Sequence, residues 1–375
     1  VTIYDPDTLA WAYLSRVVQG PSTYLGTLVE QLGVQEAARC VRTGDLPLEF
    51  REKTQARAHL DTARRDLDLM EAMGGRLVTP QSPEWPAWRM LAFDGLGRAA
   101  EDNSPCALWV VGSEKLADVT ERSIAIVGTR ASTSYGDHVT AEIAGDLAAD
   151  GWTVISGAAF GIDGAAHRAT LGVGGVTVAV LACGVDRAYP SGHARLLQQI
   201  ARSGGVVSEY PPGTTPAKFR FLARNRLVAA MSDGIVVVEA GWRSGARNTA
   251  TWGRRLGRPV MAVPGPVTSA SSAGCHRMIR EGEALLVANA SDVVDVAGPV
   301  GVGDCSEDEA AVRALDSLSG NSRLVYEALP GSGSRSVNQL AEESGLLINH
   351  VRATLPLLEL EGFAGSDTTG WFRIK

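Results

Sequence analysis

From Ser123 onward, short runs of apolar and mostly β-branched residues alternate with stretches of helical pattern, and this alternation constrains the fold more than any other property of the chain. The runs are Ile124 to Val127, Thr153 to Ile155, Val176 to Leu181, Val206 to Val207, Ile235 to Val238 and Val260 to Val263, with Ala284 to Val287 a possible last member. A strand covered by helices on both faces has no solvent side, so it is apolar throughout instead of alternating. Such runs, spaced by helices, predict an α/β Rossmann-like core built on a parallel sheet, over residues 106–297.

The flanks read differently. Asp7 to Val18, Thr23 to Leu32, Gln35 to Arg42 and a longer amphipathic stretch from Glu49 to Met73 predict a helical domain with its linker over residues 1–105. A connection rich in Pro and Trp (Pro80, Pro83, Trp85, Pro86, Trp88) leads out of it. After the core, a Gly- and Asp-containing linker (Gly298 to Asp308) precedes an end domain over residues 310–375. There Asn321 to Leu329, Val337 to Ser344 and Ile348 to Leu360 predict three helices, and Phe363 to Ile374 a hairpin, in the order of a winged helix. Its recognition helix offers only His350 and Arg352 against Glu359 and Glu361, which favours protein contact over groove reading.

The formal net charge of -7 argues against a nucleic-acid binder until its distribution is considered. Between Tyr210 and Arg280 stand eleven basic residues (Lys218, Arg220, Arg224, Arg226, Arg243, Arg247, Arg254, Arg255, Arg258, Arg277 and Arg280) against Asp233 and Glu239. A basic stretch in an acidic chain is the footprint of a polyanion site; salt bridges to neighbouring domains are the plainer alternative. Five scattered cysteines (Cys40, Cys106, Cys183, Cys275, Cys305) without a CxxC pair predict reduced thiols, neither a disulfide framework nor a zinc site. With acids at Asp5 and Asp7 and no apolar run of membrane length, the expected location is cytoplasmic.

In an open parallel sheet, ligands bind beyond the carboxyl ends of the strands, where loops enter helix N-termini. Three loops here have suitable composition: Gly128-Thr129-Arg130, Ser156-Gly157 running to Asp163, and Gly241 to Ala246 with Ser244-Gly245. None carries GxGxxG or GxxxxGK[ST], so neither a dinucleotide nor a nucleoside triphosphate is expected, and no cofactor is called for. The segment Lys218-Phe219-Arg220-Phe221-Leu222-Ala223-Arg224-Asn225-Arg226 interleaves cations and aromatics ahead of an apolar helix, Leu227 to Met231, the two ingredients of single-strand binding. Were that segment regular helix, Arg224 and Arg226 would lie about 200° apart and one would be structural. Phe219 and Phe221 could each stack a base or pack in a core.

Possible catalytic groups (Ser156, Asp163, His167, Cys183, Asp186, Glu209, Glu239) show no spacing that specifies a triad, dyad or metal site, so no catalytic residue is assigned. His167 reads as a structural histidine and Asp163 as a helix-entry cap.

Taken in order, these blocks resemble the DNA-processing protein A family (DprA, also called Smf). The resemblance also rests on Ala179 to Asp186 running to Tyr189-Pro190, on Ser208 to Gly213, and on Gly257-Arg258-Pro259-Val260 running to Val263-Pro264-Gly265. It implies sequence-independent binding of single-stranded DNA, homodimerisation through the Rossmann-like domain, loading of the RecA recombinase during natural transformation, and no enzymatic turnover as the main role. It also implies a SAM-like helical domain at the start and a winged helix at the end. Carried onto this chain, the DNA contacts are Gly128, Arg130, Ser156, Gly157, Lys218, Phe219, Arg224, Asn225, Arg226, Ser244 and Gly245. There are three departures: the family's Phe-Pro-x-Arg-Asn-Arg is here Phe221-Leu222-Ala223-Arg224-Asn225-Arg226, which predicts a looser loop before the helix, Arg247 and Asn248 replace an aliphatic stretch after the Ser-Gly pair, and Gly274-Cys275-His276 replaces a Gly-Thr-Asn. The alternative is a nucleoside-monophosphate hydrolase of the lysine-decarboxylase-like Rossmann group, which would need a Pro-Gly-Gly-x-Gly-Thr loop followed by a Glu; Gly241 to Thr249 has no carboxylate.

Overall fold

The computed structural model describes residues 2–97, 99, 102–242, 244–298, 318, 320–331, 333–367 and 369–374. Within it the chain forms two compact units, Val1–Gly303 and Asp304–Lys375. Residues 299–308 of the expected linker, with Cys305, lie outside the described residues, as does Arg243.

The first unit opens with five helices: α1 (Pro6–Val18), α2 (Thr23–Leu32), α3 (Val34–Thr43), α4 (Leu48–Thr54) and α5 (Ala63–Ala72). Asp5 and Ser22 cap α1 and α2 by accepting the Thr8 and Leu25 N–H groups, the usual device for satisfying first-turn donors. The amphipathic stretch expected as one helix from Glu49 to Met73 is two, α4 and α5, joined by a turn in which Arg57 donates to the Val17 and Lys53 carbonyls.

The core then unfolds as β1 (Gly75–Val78), α6 (Ala87–Met90), β2 (Leu108–Val111), α7 (Leu116–Glu121), β3 (Ser123–Val127), α8 (Ser134–Ala149), β4 (Thr153–Ser156), α9 (Ile162–Gly172) and β5 (Thr177–Leu181). It continues through α10 (Ala194–Ser203), β6 (Gly205–Ser208), α11 (Lys218–Ala230), β7 (Gly234–Val237), α12 (Ala246–Arg255), β8 (Val260–Ala262), α13 (Ala273–Arg280), β9 (Leu285–Leu286) and α14 (Ala290–Ala297). Nine strands make one sheet in the order β1-β2-β6-β5-β4-β3-β7-β8-β9. β1 and β2 are antiparallel to their neighbours, and the rest run parallel. The chain winds outward from β3 to β6, then returns to β7 on β3's other side, so the switch of direction lies beside β3.

Every central strand is apolar because both faces are covered. Ile124, Ile126, Val154 and Val236 pack under Ile143 and Leu147 of α8, with Ile162 and Val293. On the opposite face Ala125, Val127, Ile155 and Val237 meet Leu227 and Val228 of α11 and Trp252 of α12. The N-terminal helices share a core with the sheet's far end, where Leu14 and Ala38 join Trp109, Leu181 and Ile200. Ser15 Oγ accepts the Trp109 indole N–H at 2.9 Å, so the polar edge of a fully buried ring is satisfied.

The second unit holds α15 (Gly320–Ala328), α16 (Val337–Ser344), α17 (Ile348–Leu360) and the antiparallel pair β10 (Ala364–Ser366) and β11 (Trp371–Arg373). Its own core gathers Val325, Leu340, Val351, Leu355 and Leu358. Ser336 and Gln339 form a reciprocal capping box at the start of α16.

Candidate nucleic-acid interface

A groove of about 780 Å3 opens beyond the carboxyl ends of β3, β4 and β7, at the switch in strand order. Its floor is the three small-residue loops: Gly128 to Arg130, Gly157 with Ala159, and Gly241 with Ser244 to Ala246. One wall is α11, which presents Lys218, Phe221, Leu222, Arg224, Asn225 and Val228.

The four helices that start here differ in how their N-termini are neutralised. At α8, Glu239 accepts from Thr133 N at 2.9 Å and Thr133 Oγ1 at 2.6 Å, and is itself only 1% exposed. Gly136 is glycine because a Cβ there would overlap that carboxylate. At α9, Asp163 stands in the first turn and accepts the Ala159 N–H. Burial pushes the Asp163 carboxyl up from its ordinary range, while Arg224 and the Ala159, Gly128 and Gly157 N–H groups oppose that push. Asp163 thus pins two glycine loops together and is not the expected cap of α9, whose cap residue is Gly161 with no side-chain bond. α11 and α12, by contrast, have no acid in the first turn and no side-chain bond from the cap residue. Their positive ends converge on the groove with no first-turn carboxylate of their own to answer them.

Cations complete the pattern. Arg130 is exposed and its guanidinium lies 5.2 Å from the centre of the Phe221 ring, which in turn meets Tyr189 at 5.3 Å. Lys218 is exposed at the first position of α11, where the helix dipole disfavours a cation by roughly 0.3–1 kcal/mol unless an anion is present. No carboxylate engages Arg130 or Lys218 among the described residues. Arg224 is 6% exposed and donates to the carbonyls of Gly157, at 2.7 Å, and Val180. Gly157 leaves room for it, since a Cβ there would overlap the guanidinium and push it aside.

The structure sorts the expected contacts. Gly128, Arg130, Gly157, Lys218, Arg224, Asn225, Ser244 and Gly245 line the groove together. Ser156, Phe219 and Arg226 do not. Ser156 is fully buried and donates to the Ile126 carbonyl at 2.6 Å. Phe219 is 62% exposed beside Arg220, away from the groove lining. Arg226 is wholly buried in an ion pair with Glu209 at 2.5 Å, its guanidinium over the Phe93 ring. α11 begins at Lys218, nine residues before the apolar helix expected from Leu227. The looser loop is therefore absent: without a proline at Leu222 the helix extends back through the whole basic segment.

The basic stretch is also less free than its composition suggests. Arg226, Arg247, Arg254, Arg255, Arg277 and Arg280 pair with Glu209, Glu283, Asp102 and Glu281. Part of the charge thus holds the unit together, as the plainer alternative required, and Arg130, outside the stretch, is one of the cations left for a ligand. In the sequence Tyr189 stands out only as part of the Tyr189-Pro190 block and not as a contact; it meets Phe221 because the loop after β5 and the first turns of α11 reach one rim.

The groups weighed for catalysis have other tasks. Thr177 Oγ1 donates to the Val154 carbonyl at 2.6 Å, so His167 Nδ1, 2.7 Å from that hydroxyl, must be the donor to it. His167 Nε2 is buried without a partner, and burial lowers the ring's pKa to about 3. Burial pushes the Cys183 thiol up to about 11, away from a thiolate nucleophile. Glu239, the carboxylate a hydrolase would need near the third loop, is committed to Thr133 and does not line the groove.

A family model described as DNA recombination-mediator protein A matches residues 76–298. The DNA processing protein DprA of Mycobacterium tuberculosis is 50% identical over 370 residues, covering 98% of this chain and 94% of that one. Protein Smf of Escherichia coli is 40% identical over 197 residues, 52% of each. Among solved structures, DprA from Streptococcus pneumoniae is similar with a TM-score of 0.62 at 27% identity, covering 78% of this chain and 98% of that chain.

Proposed function

The chain belongs to the DNA recombination-mediator protein A family, and from that premise we propose that it binds single-stranded DNA without sequence preference in the groove above β3, β4 and β7. The observation that carries this reading is the convergence of Arg130, Lys218, Arg224 and two helix N-termini lacking acids on a rim bearing the Tyr189–Phe221 pair. Separated positive sites suit a row of phosphates, and exposed aromatic faces suit bases that are not already stacked in a duplex.

The binding supports a mediator role in which the protein holds a strand for RecA, as a homodimer, in recombination and natural transformation, with no catalytic turnover and a cytoplasmic location. No helix among the described residues is long and apolar enough to cross a membrane. The N-terminal helices serve as the SAM-like module and the second unit as a winged helix. With Leu357 and Leu360 exposed on its third helix, that unit is suited to protein contact more than to phosphate.

Anisotropy titrations of a poly-dT strand and an equal-length duplex over a salt series test the proposal. The strand should bind more tightly, and Lys218→Ala or Arg130→Ala should each weaken binding and flatten the log–log salt slope by about 0.7. Equal binding of strand and duplex, or slopes indifferent to both substitutions, would remove the groove from DNA recognition.

A further inference from the structure

Trp242 is 57% exposed on the loop between β7 and α12, an unusual place to leave a large indole in water. Gly241 and Ser244 of the same loop line the groove, while Trp242 itself lies outside that lining, on the chain that leads into α12. The ring is held, not loose. The Arg277 guanidinium packs over it at 4.7 Å from the ring centre, and Arg277 is itself fixed to Glu281 at 2.8 Å. Arg247 Nη1 donates to the Trp242 carbonyl at 3.4 Å, tying the loop to α12. A ring braced by a guanidinium and more than half exposed is a ready stacking surface, and it lies on a different loop from the Arg130 and Gly157 loops beside the Tyr189–Phe221 pair.

We propose that Trp242, braced by Arg277, is a second nucleobase-stacking position that extends the strand-binding groove past the α12 end. The inference rests on the single-strand reading of the groove. A strand would then run from the aromatic pair, across the cations, to the indole, with its phosphates over the positive helix ends and a base against the exposed face of Trp242. Any base can supply that face, so the contact adds affinity without sequence preference.

The test uses the full chain, an oligo-dT and the same oligo with abasic sites, measured by anisotropy and tryptophan emission. Trp242→Ala should weaken oligo-dT binding roughly tenfold, leave the salt slope unchanged, and abolish the part of the emission quenching that depends on Trp242. Trp242→Phe should restore most of the affinity. On the abasic strand, wild type and Trp242→Ala should bind alike. Wild type that binds oligo-dT while Trp242→Ala matches it would overturn this inference and leave the groove reading intact. Wild type that binds neither strand would overturn both. Circular dichroism of each variant separates loss of folding from loss of the contact, and a Trp242→Ala defect that Phe does not rescue would count against stacking.

Discussion

On α11, Arg224 faces the groove while Arg226, about 200° further round the helix, faces Glu209 and the Phe93 ring. Their substitutions should fail differently from those at the rim. Arg226→Met strands the Glu209 carboxylate in the interior and should cost about 3–5 kcal/mol of stability. Replacing both Arg226 and Glu209 by Met should cost much less, because no buried charge remains. Urea titrations check this, and a single variant as stable as the double would show that the pair is not desolvated. Arg130→Ala, by contrast, should leave the urea midpoint nearly where it is, since the Arg130 side chain is exposed and its guanidinium lies over the Phe221 ring.

His167 gives a pH dependence whose sign follows from its tautomer. In the unfolded chain the ring protonates near 6.5, and in the folded protein only near about 3, because burial leaves a proton on Nε2 without an acceptor. The unfolded state binds more protons between those values, so this contribution to stability is fully present above 6.5 and is lost as pH falls toward 3. His167→Gln should flatten the rise of the urea midpoint across that interval; an equally steep rise in the variant would assign it to other groups.

At the scale of elements, α11 carries the site because it is continuous. Lys218 occupies its first position, and Phe221, Leu222 and Arg224 follow along the face that lines the groove. A proline at position 222 would remove a ladder bond and clash with the preceding turn. Leu222→Pro should therefore destabilise by about 3 kcal/mol and weaken strand binding, and circular dichroism with anisotropy would show both. Full tolerance would mean that the first turns of α11 are not helical in solution. Local pattern made most elements legible here: the apolar runs between Ser123 and Val263 coincide with β3 to β8 within a residue or two. β1 and β2 were not legible. Gly75–Val78 and Leu108–Val111 are short, and they become strands by pairing with each other and with β6, a partner far along the chain.

Across the whole molecule, each unit has its own core, so residues 304–375 are not needed to build the groove. A chain ending at residue 303 should keep strand affinity and salt slope unchanged, while removal of α1 to α5 should unfold the remainder because those helices share a core with Trp109 and Ile200. Loss of strand affinity on the first truncation would place part of the binding surface in the second unit. What the sequence determined by itself is whatever depends on neighbours along the chain: strand and helix periods, the small-residue loops at strand ends, and the absence of cofactor glycines. Only the tertiary structure decided which cations face a ligand, that Glu239 and Asp163 occupy two helix ends, and that Tyr189 meets Phe221. Those outcomes depend on side-chain azimuth and on partners tens to hundreds of residues away. An arginine beside a groove and an arginine inside an ion pair are the same letter until the chain has packed.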